Sequence, residues 1–355
     1  MPQRATERRA TMVEDGGLDG SKEETAYCVK DGDGKILASG KVATDPDALF
    51  AVLKDHCVCP ERIVLETGTQ SSWLARELRE RGLPVECLDA RRAHAVLRLR
   101  HNKTDANDAE ALAELARLGF FRAVAVKSEA AQADRVLVQA RARLVSGRRG
   151  QENALRGLLA SMGLRFPTGV AKFAREVRAL VAERPELVCV VEAMLSAREA
   201  LMESIAALDS EVAHRARQRP DCQLLMSVPH VKSLTALAYC ATIDDPGRFS
   251  GSRAVGAYLG LTSRRWQSGE VDYGGRISKM GDGLMRSLLY QAAHGLLTRV
   301  RRAHPLKDWA RKLKKRTSHK KACVALARKL AVILHKMLIT GEPFRWPQQK
   351  ESAKA

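Results

Sequence analysis

The sequence predicts an α/β domain followed by a mostly α-helical remainder, an α/β plus α fold class. Short apolar runs alternate with helical patterns up to about residue 125, as expected for a partly parallel sheet with helices against it. The hairpin signal Asp31-Gly32-Asp33-Gly34 sits between two strand-like runs. From Glu129 to Ala213 alanine, leucine and arginine dominate and β-branched runs disappear, which predicts helices.

Residues 1–15 are Arg-rich and then acidic and read as a disordered tail. Gly16 to Lys22 lead into a strand over Thr25 to Val29, and Ile36 to Val42 continues as a strand past the hairpin turn. Pro46 to Leu53 reads as a helix with an early proline, whose fixed φ suits the first turn. Arg62 to Glu66 is a short apolar run ending in an acid, the pattern of a buried strand. Ser71 to Arg81 is a helix closed by Gly82, Pro84 to Leu88 a strand, and Ala109 to Leu118 a helix. Ala130 to Val145, Glu152 to Met162 and Val190 to Leu208 read as long helices, with Pro167 and Pro185 marking breaks. The predicted boundaries are a tail at 1–15, a first domain at 16–128, a helical coiled-coil and dimerisation region at 129–215, a C-terminal domain at 216–345 and a tail at 346–355.

The chain has 355 residues, a formal net charge of +19 and 45% hydrophobic residues. That charge points to a polyanionic partner, most simply nucleic acid. No apolar run is long enough to span a bilayer and no signal peptide is visible, so the expectation is no membrane and a cytoplasmic, nucleoid-associated location. Aromatics make up only 5% of residues, which argues against large stacking platforms for single strands. Of eight cysteines only Cys57 and Cys59 are close, and no paired CxxC motif exists. That argues against a structural zinc site and for reduced thiols.

Asp105 and Asp108 open the helical pattern that continues through Leu118. Three apart, they project from one helix face, with Cβ atoms roughly 5–6 Å apart. Two readings compete: a divalent cation between them, or acids welcomed by the helix dipole in a first turn. Glu66 ends a strand and Asp19 lies near the end of another; each alone is also a plausible cap or turn residue. Together, acids at strand C-termini sit where open α/β sheets bind ligands, and oxygen ligands suit Mg²⁺ or Mn²⁺.

Leu18-Asp19-Gly20-Ser21-Lys22, Leu65-Glu66-Thr67-Gly68 and Lys103-Thr104-Asp105 with Asp108-Ala109 resemble the signatures of DEDD insertion-sequence transposases of the IS one-ten family. The likeness spans roughly residues 16 to 125. It implies an RNase H-like (RuvC-like) first domain whose Asp19, Glu66, Asp105 and Asp108 hold the metal. Gly20 departs from the family, which has a bulkier apolar residue there. A second stretch, about residues 222 to 300, is similar to the family's C-terminal transposase domain. It carries Val255 to Thr262, Gln267-Ser268-Gly269-Glu270 and Gly275 to Asp282. The resemblance makes Ser268 the nucleophile, attacking DNA to give a 5′-phosphoserine. Leu225 to Ala236 resembles half of a helix-hairpin-helix, with His230 and Lys232 at the family's glycine positions.

Candidate nucleic-acid contacts are Lys232, Arg264, Arg265, Arg276 and Lys279, plus Lys314 and Lys315 in a basic tail over Arg301 to Lys336 that also carries Lys307 and Arg311. The competing reading for each is an ordinary solvated charge. His319 and His335 read as surface or packing residues. The resemblance further implies double-stranded donor and target DNA, a structured noncoding guide (bridge) RNA, and a homodimer or tetramer. The expected function is therefore RNA-guided transposition or recombination. A RuvC-like metal-dependent junction resolvase or nuclease using water, and a non-catalytic nucleic-acid-binding derivative, are the alternatives.

Overall fold

The structure is a computed structural model that describes residues 13–57, 59–89, 102–166, 169 and 172–345. The tail at 1–12, the break expected at Pro167 and the tail at 346–355 lie outside the described residues. The chain divides between Lys127 and Ser128 into two units.

The first unit is built on a six-stranded sheet. Its strands are β1 (Glu14–Gly20), β2 (Glu24–Asp31), β3 (Ile36–Ala43), β4 (Pro60–Glu66), β5 (Val85–Leu88) and β6 (Ala123–Val124), in the order β3-β2-β1-β4-β5-β6. β1, β2 and β3 run antiparallel in sequence, β4 is parallel to β1, β5 is parallel to β4, and β6 is antiparallel to β5. Asp31 fixes the β2–β3 turn, its Oδ1 accepting from the amides of Asp33 (3.1 Å) and Lys35 (2.9 Å).

Helices cover both faces. α1 (Pro46–His56) is capped by Asp45, which accepts from the amides of Asp47 and Ala48. It packs with α2 (Ser71–Glu80) on one face, where Leu49, Leu53, Leu74 and Leu78 meet Leu18, Ile63 and Leu65. α3 (Asp105–Leu118) covers the other, with Leu112 and Leu115 on Val64 and Leu88, and Ala109 and Ala113 on Ala26 and Cys28. The alternation of Leu65 and Val64 between the two clusters is the period-two rule of a strand buried on both sides. Gly17 sets how close α3 comes: a Cβ there would lie 2.2 Å from Ala109 O and from Ala113 N.

The first strand begins earlier than the sequence pattern suggests. Glu14 and Asp15, read as tail, are buried strand residues. Glu14 accepts from the amide of Cys59 at 3.0 Å, and Asp15 lies 3.7 Å from Arg62 Nε. A distant amide satisfies Glu14, while Asp15 faces the Arg62 guanidinium with its buried Oδ1 lacking a hydrogen bond, so their polarity did not mark a loop.

In the second unit, α4 (Glu129–Ser161) and α6 (Pro185–Gln218) are long helices flanking the short α5 (Phe173–Leu180). The two helices predicted over 130–162 are one. Gly147 and Gly150 interrupt the pattern, but each costs only about 1 kcal/mol relative to alanine, which packing against α6 offsets. Ion pairs Asp134–Arg215, Arg141–Asp209 and Glu152–Arg198 show α4 and α6 running antiparallel, the partner number falling as the α4 number rises. Leu155, Leu159, Phe173, Val177 and Leu195 form a small core at the far end of this pair.

At the near end Leu137, Val138, Val212 and Ala216 join the main core of the remaining helices. These are α7 (Pro220–Met226), α8 (Ser233–Ile243), α9 (Ser252–Tyr258), α10 (Gly283–Thr298), α11 (Pro305–Arg316) and α12 (His319–Thr340). Tyr239 is buried there and donates to Ala331 O at 2.6 Å. Between α9 and α10 a hairpin of β7 (Ser263–Ser268) and β8 (Val271–Ile277) departs from the helical expectation. Among the described residues no helix is long and apolar enough to cross a membrane.

Candidate active site

Three elements bring the acids together. β1 and β4 are parallel neighbours with Leu18 opposite Leu65, so Asp19 and Glu66 emerge side by side at the same sheet edge. α3 begins at Asp105, with Thr104 as its N-cap accepting from the amide of Asn107 at 3.2 Å. Its close seat on Gly17 brings its first turn toward that edge, where Asp108 is buried.

Burial raises the Asp19 carboxyl above the usual range; the nearby Asp108 and Asp105 raise it further, while Lys103 and Lys41 oppose. Burial also raises Glu66, followed by the charges of Asp19 and Asp108. Asp19, Glu66 and Asp108 thus repel one another across a partly desolvated site. Asp105 differs. It is exposed, and Lys41 Nζ donates to its Oδ2 at 2.5 Å, holding the carboxyl below its usual range. The four acids are not among the described groups whose ligand atoms all lie within 4.8 Å of one another. A donor set made only of carboxylate oxygens, with charges that disfavour one another, fits a hard divalent cation. Beside Glu66 lies a cavity of about 220 Å³ lined by Gly20, Ser21, Lys22, Thr44, Thr69 and Gln70 among others.

Ser268 ends β7 at the tip of the hairpin and is exposed. The following Gly269 has φ +55°, the backbone that twist-matched two-residue hairpins require. This explains the glycine of the Ser-Gly pair by geometry alone.

Residues 16–163 match the family model for DEDD transposases of the IS110 group, described as transposase, and residues 222–308 match one described as transposase, IS116/IS110/IS902 family. The chain is 31% identical over 336 residues to a transposase for insertion sequence element IS1111A from Coxiella burnetii, covering 93% of this chain and 90% of that relative. The chain belongs to this transposase family. A probable family 20 transposase from Pseudomonas aeruginosa is 31% identical over 79% of the chain and 84% of its own length. A putative transposase from Sinorhizobium fredii is 30% identical over 81% and 75%. An insertion-sequence transposase acts on DNA, by breaking and rejoining it.

The cations of this transposase are unevenly free. Arg265 pairs with Asp272 at 2.5 Å and Arg264 donates to Ser278 O at 3.3 Å. Arg276 and Lys279 are exposed, Lys279 in a left-handed backbone at φ +55°. Lys232 is exposed at the start of α8. The preceding His230 takes φ +66°, a conformation that favours glycine, which the family has there. Lys314 and Lys315 are exposed on α11, but Lys307 is buried and donates to Val300 O. The cationic face of α11 therefore lacks Lys307, because that ammonium is turned to a carbonyl just past the C-terminus of α10. His335 is a packing residue, held by Ser252 Oγ and Pro246 O at 3.0 Å each. Sequence reasoning missed Lys41, which lies 64 residues from Asp105 and carries no local signal.

Proposed function

We propose that this transposase cleaves and exchanges DNA strands through a 5′-phosphoserine at Ser268, with Asp19, Glu66, Asp105 and Asp108 holding Mg²⁺ or Mn²⁺. The observation that carries the metal assignment is the convergence of Asp19 and Glu66, at the ends of two parallel strands, with Asp108 in the first turn of α3, where their charges repel one another. The sheet order β3-β2-β1-β4-β5, with β1 to β3 antiparallel and β4 and β5 parallel to β1, supports an RNase H-like reading of the first unit. The cation would supply Lewis-acid polarisation of a phosphate oxygen.

The protein's own residues do the rest. Ser268 Oγ forms a bond to phosphorus as the 3′-oxygen leaves, so the phosphodiester is exchanged rather than hydrolysed and can be reversed without a nucleotide cofactor. Exposed guanidinium and ammonium groups at Arg276 and Lys279 offset phosphate charge. A structured noncoding RNA choosing donor and target by base pairing suits a chain whose cations serve backbones. Strand exchange also calls for a homodimer or tetramer, since several breaks must be held in one complex.

The test is trapping. The full chain is incubated with element-end DNA, the candidate RNA and Mg²⁺, and the protein–DNA adduct is mapped by mass spectrometry. An adduct on Ser268, absent in Ser268→Ala, is the expected result. The acids form a set that does not need the serine, which favours a water-using nuclease as the second reading. Cutting that persists in Ser268→Ala without an adduct would replace the first reading by that one.

A further inference from the structure

The β7–β8 hairpin carries a feature that neither its charge nor its serine accounts for. Trp266 and Tyr273 are cross-strand partners whose rings stack, with centroids 5.1 Å apart and planes 18° from parallel. Ser268 pairs with Val271 one step nearer the tip. Side chains alternate along a strand, so Trp266, Ser268, Val271 and Tyr273 share one face. Arg265 and Asp272 take the opposite face, where they form their ion pair. The shared face is open: Trp266 is 44% exposed, Tyr273 55% and Val271 57%. Trp266 also packs closely against Gly275, where a Cβ would come 2.3 Å from its Cζ3. The indole is thus held by its Tyr273 partner and by a residue with no side chain, while part of its surface stays open to solvent.

A cross-strand aromatic pair steadies the hairpin, and one left open to water also suits recognition. We infer that the stacked Trp266–Tyr273 pair is a docking platform for an unstacked DNA base next to the phosphate that Ser268 attacks. Three observations choose that occupant. The platform is two planar rings, which match a base in shape and in π-stacking. Exposed Arg276 and Lys279 on the same hairpin and its exit suit the accompanying phosphates. Trp266 is two residues from Ser268, about 7 Å along a strand, close to the spacing of successive nucleotides in an extended strand. Low aromatic content predicts no large stacking surface, and this one is small enough for one base. The inference relies on the Ser268 assignment only for naming which phosphate is near; the binding itself does not.

Binding is measured on the full chain with an oligothymidylate of about 12 nucleotides, a duplex of equal length and an oligouridylate, by fluorescence anisotropy. Trp266→Ala and Tyr273→Ala are each expected to weaken oligothymidylate binding by roughly fivefold or more, and Trp266→Phe to restore most of it. The slope of affinity against salt should stay unchanged, because an aromatic ring releases no counterions. Duplex binding should change little. Binding is read without strand cleavage, so a failed phosphoserine assignment leaves this result standing. Equal binding by wild type, Trp266→Ala and Tyr273→Ala would overturn the proposal. So would a larger loss with oligouridylate than with oligothymidylate, or a change of oligomeric state by sedimentation in both alanine variants with DNA affinity intact.

Discussion

Lys41 Nζ lies 2.5 Å from Asp105 Oδ2, joining the edge strand β3 to the first turn of α3. Both side chains are about half exposed or more, at 49% and 60%, so solvent screens the pair and it adds little to stability. Its consequence is for ligation, since the ammonium occupies an oxygen that a cation would use. Lys41→Ala should leave the melting temperature nearly unchanged while tightening Mg²⁺ or Mn²⁺ binding severalfold, read by titration calorimetry. Unchanged metal affinity would place Asp105 outside the ligand set.

Asp19 and Glu66 have carboxyl pKa values raised in the folded state. More protons are then bound folded than unfolded, so their contribution is present at acid pH and is lost as pH rises through the raised values. Asp19→Asn should therefore raise the melting temperature at pH 7 while abolishing strand cleavage. Mg²⁺ should stabilise the wild type at pH 7 and lose that effect below the raised carboxyl values. Thermal melts across pH with and without Mg²⁺ check both. A variant that melts lower at pH 7 contradicts the repulsion.

Gly17 is where α3 rests on β1. Gly17→Ala puts a methyl group 2.2 Å from the backbone of Ala109 and Ala113, and backbone cannot move aside as a flexible side chain does. The expected cost is about 2–3 kcal/mol or more, seen as a lower denaturant midpoint. Because α3 carries Asp105 and Asp108, metal affinity should fall with it. Gly68→Ala, where no atom lies within 4 Å of the added Cβ, is the matched control and should retain the wild-type midpoint.

Glu152 and Arg198 are both buried, with Arg198 Nε donating to Glu152 Oε1 at 2.8 Å between α4 and α6. Removing Glu152 takes a carboxylate from buried Arg198 and from Arg148 at once, so Glu152→Ala should be destabilising, by about 3 kcal/mol. Replacing both, as Glu152→Leu with Arg198→Met, should recover most of that loss. Chemical denaturation of the single and double variants supplies the cycle. Additive losses would show that the two charges are not coupled.

Patterns that repeat locally were legible from the residues. The apolar run before Glu66, the Asp31 to Gly34 turn, the helix closed by Gly82 and the Ala-Leu rhythm after Asp108 each marked an element where one exists. The same was not true of Glu14 and Asp15, whose polarity reads as tail while distant partners bury them. Gly147 and Gly150 read as a gap, but packing against α6 carries the helix through. The β7–β8 hairpin hides among arginines and glycines, without the apolar alternation that marks a half-buried strand, because both its faces meet water.

The sequence by itself determined the family, the order of the elements and which acids and which serine to examine, since these rest on residue identity and on periodicities of a few positions. Only the tertiary structure decided that Asp19, Glu66 and Asp108 oppose one another while Asp105 is held by Lys41, that Lys307 is buried, and that Trp266 and Tyr273 stack beside Ser268. Those are relations of charge, burial and contact between residues on separate elements, and they come into being only when the chain closes on itself.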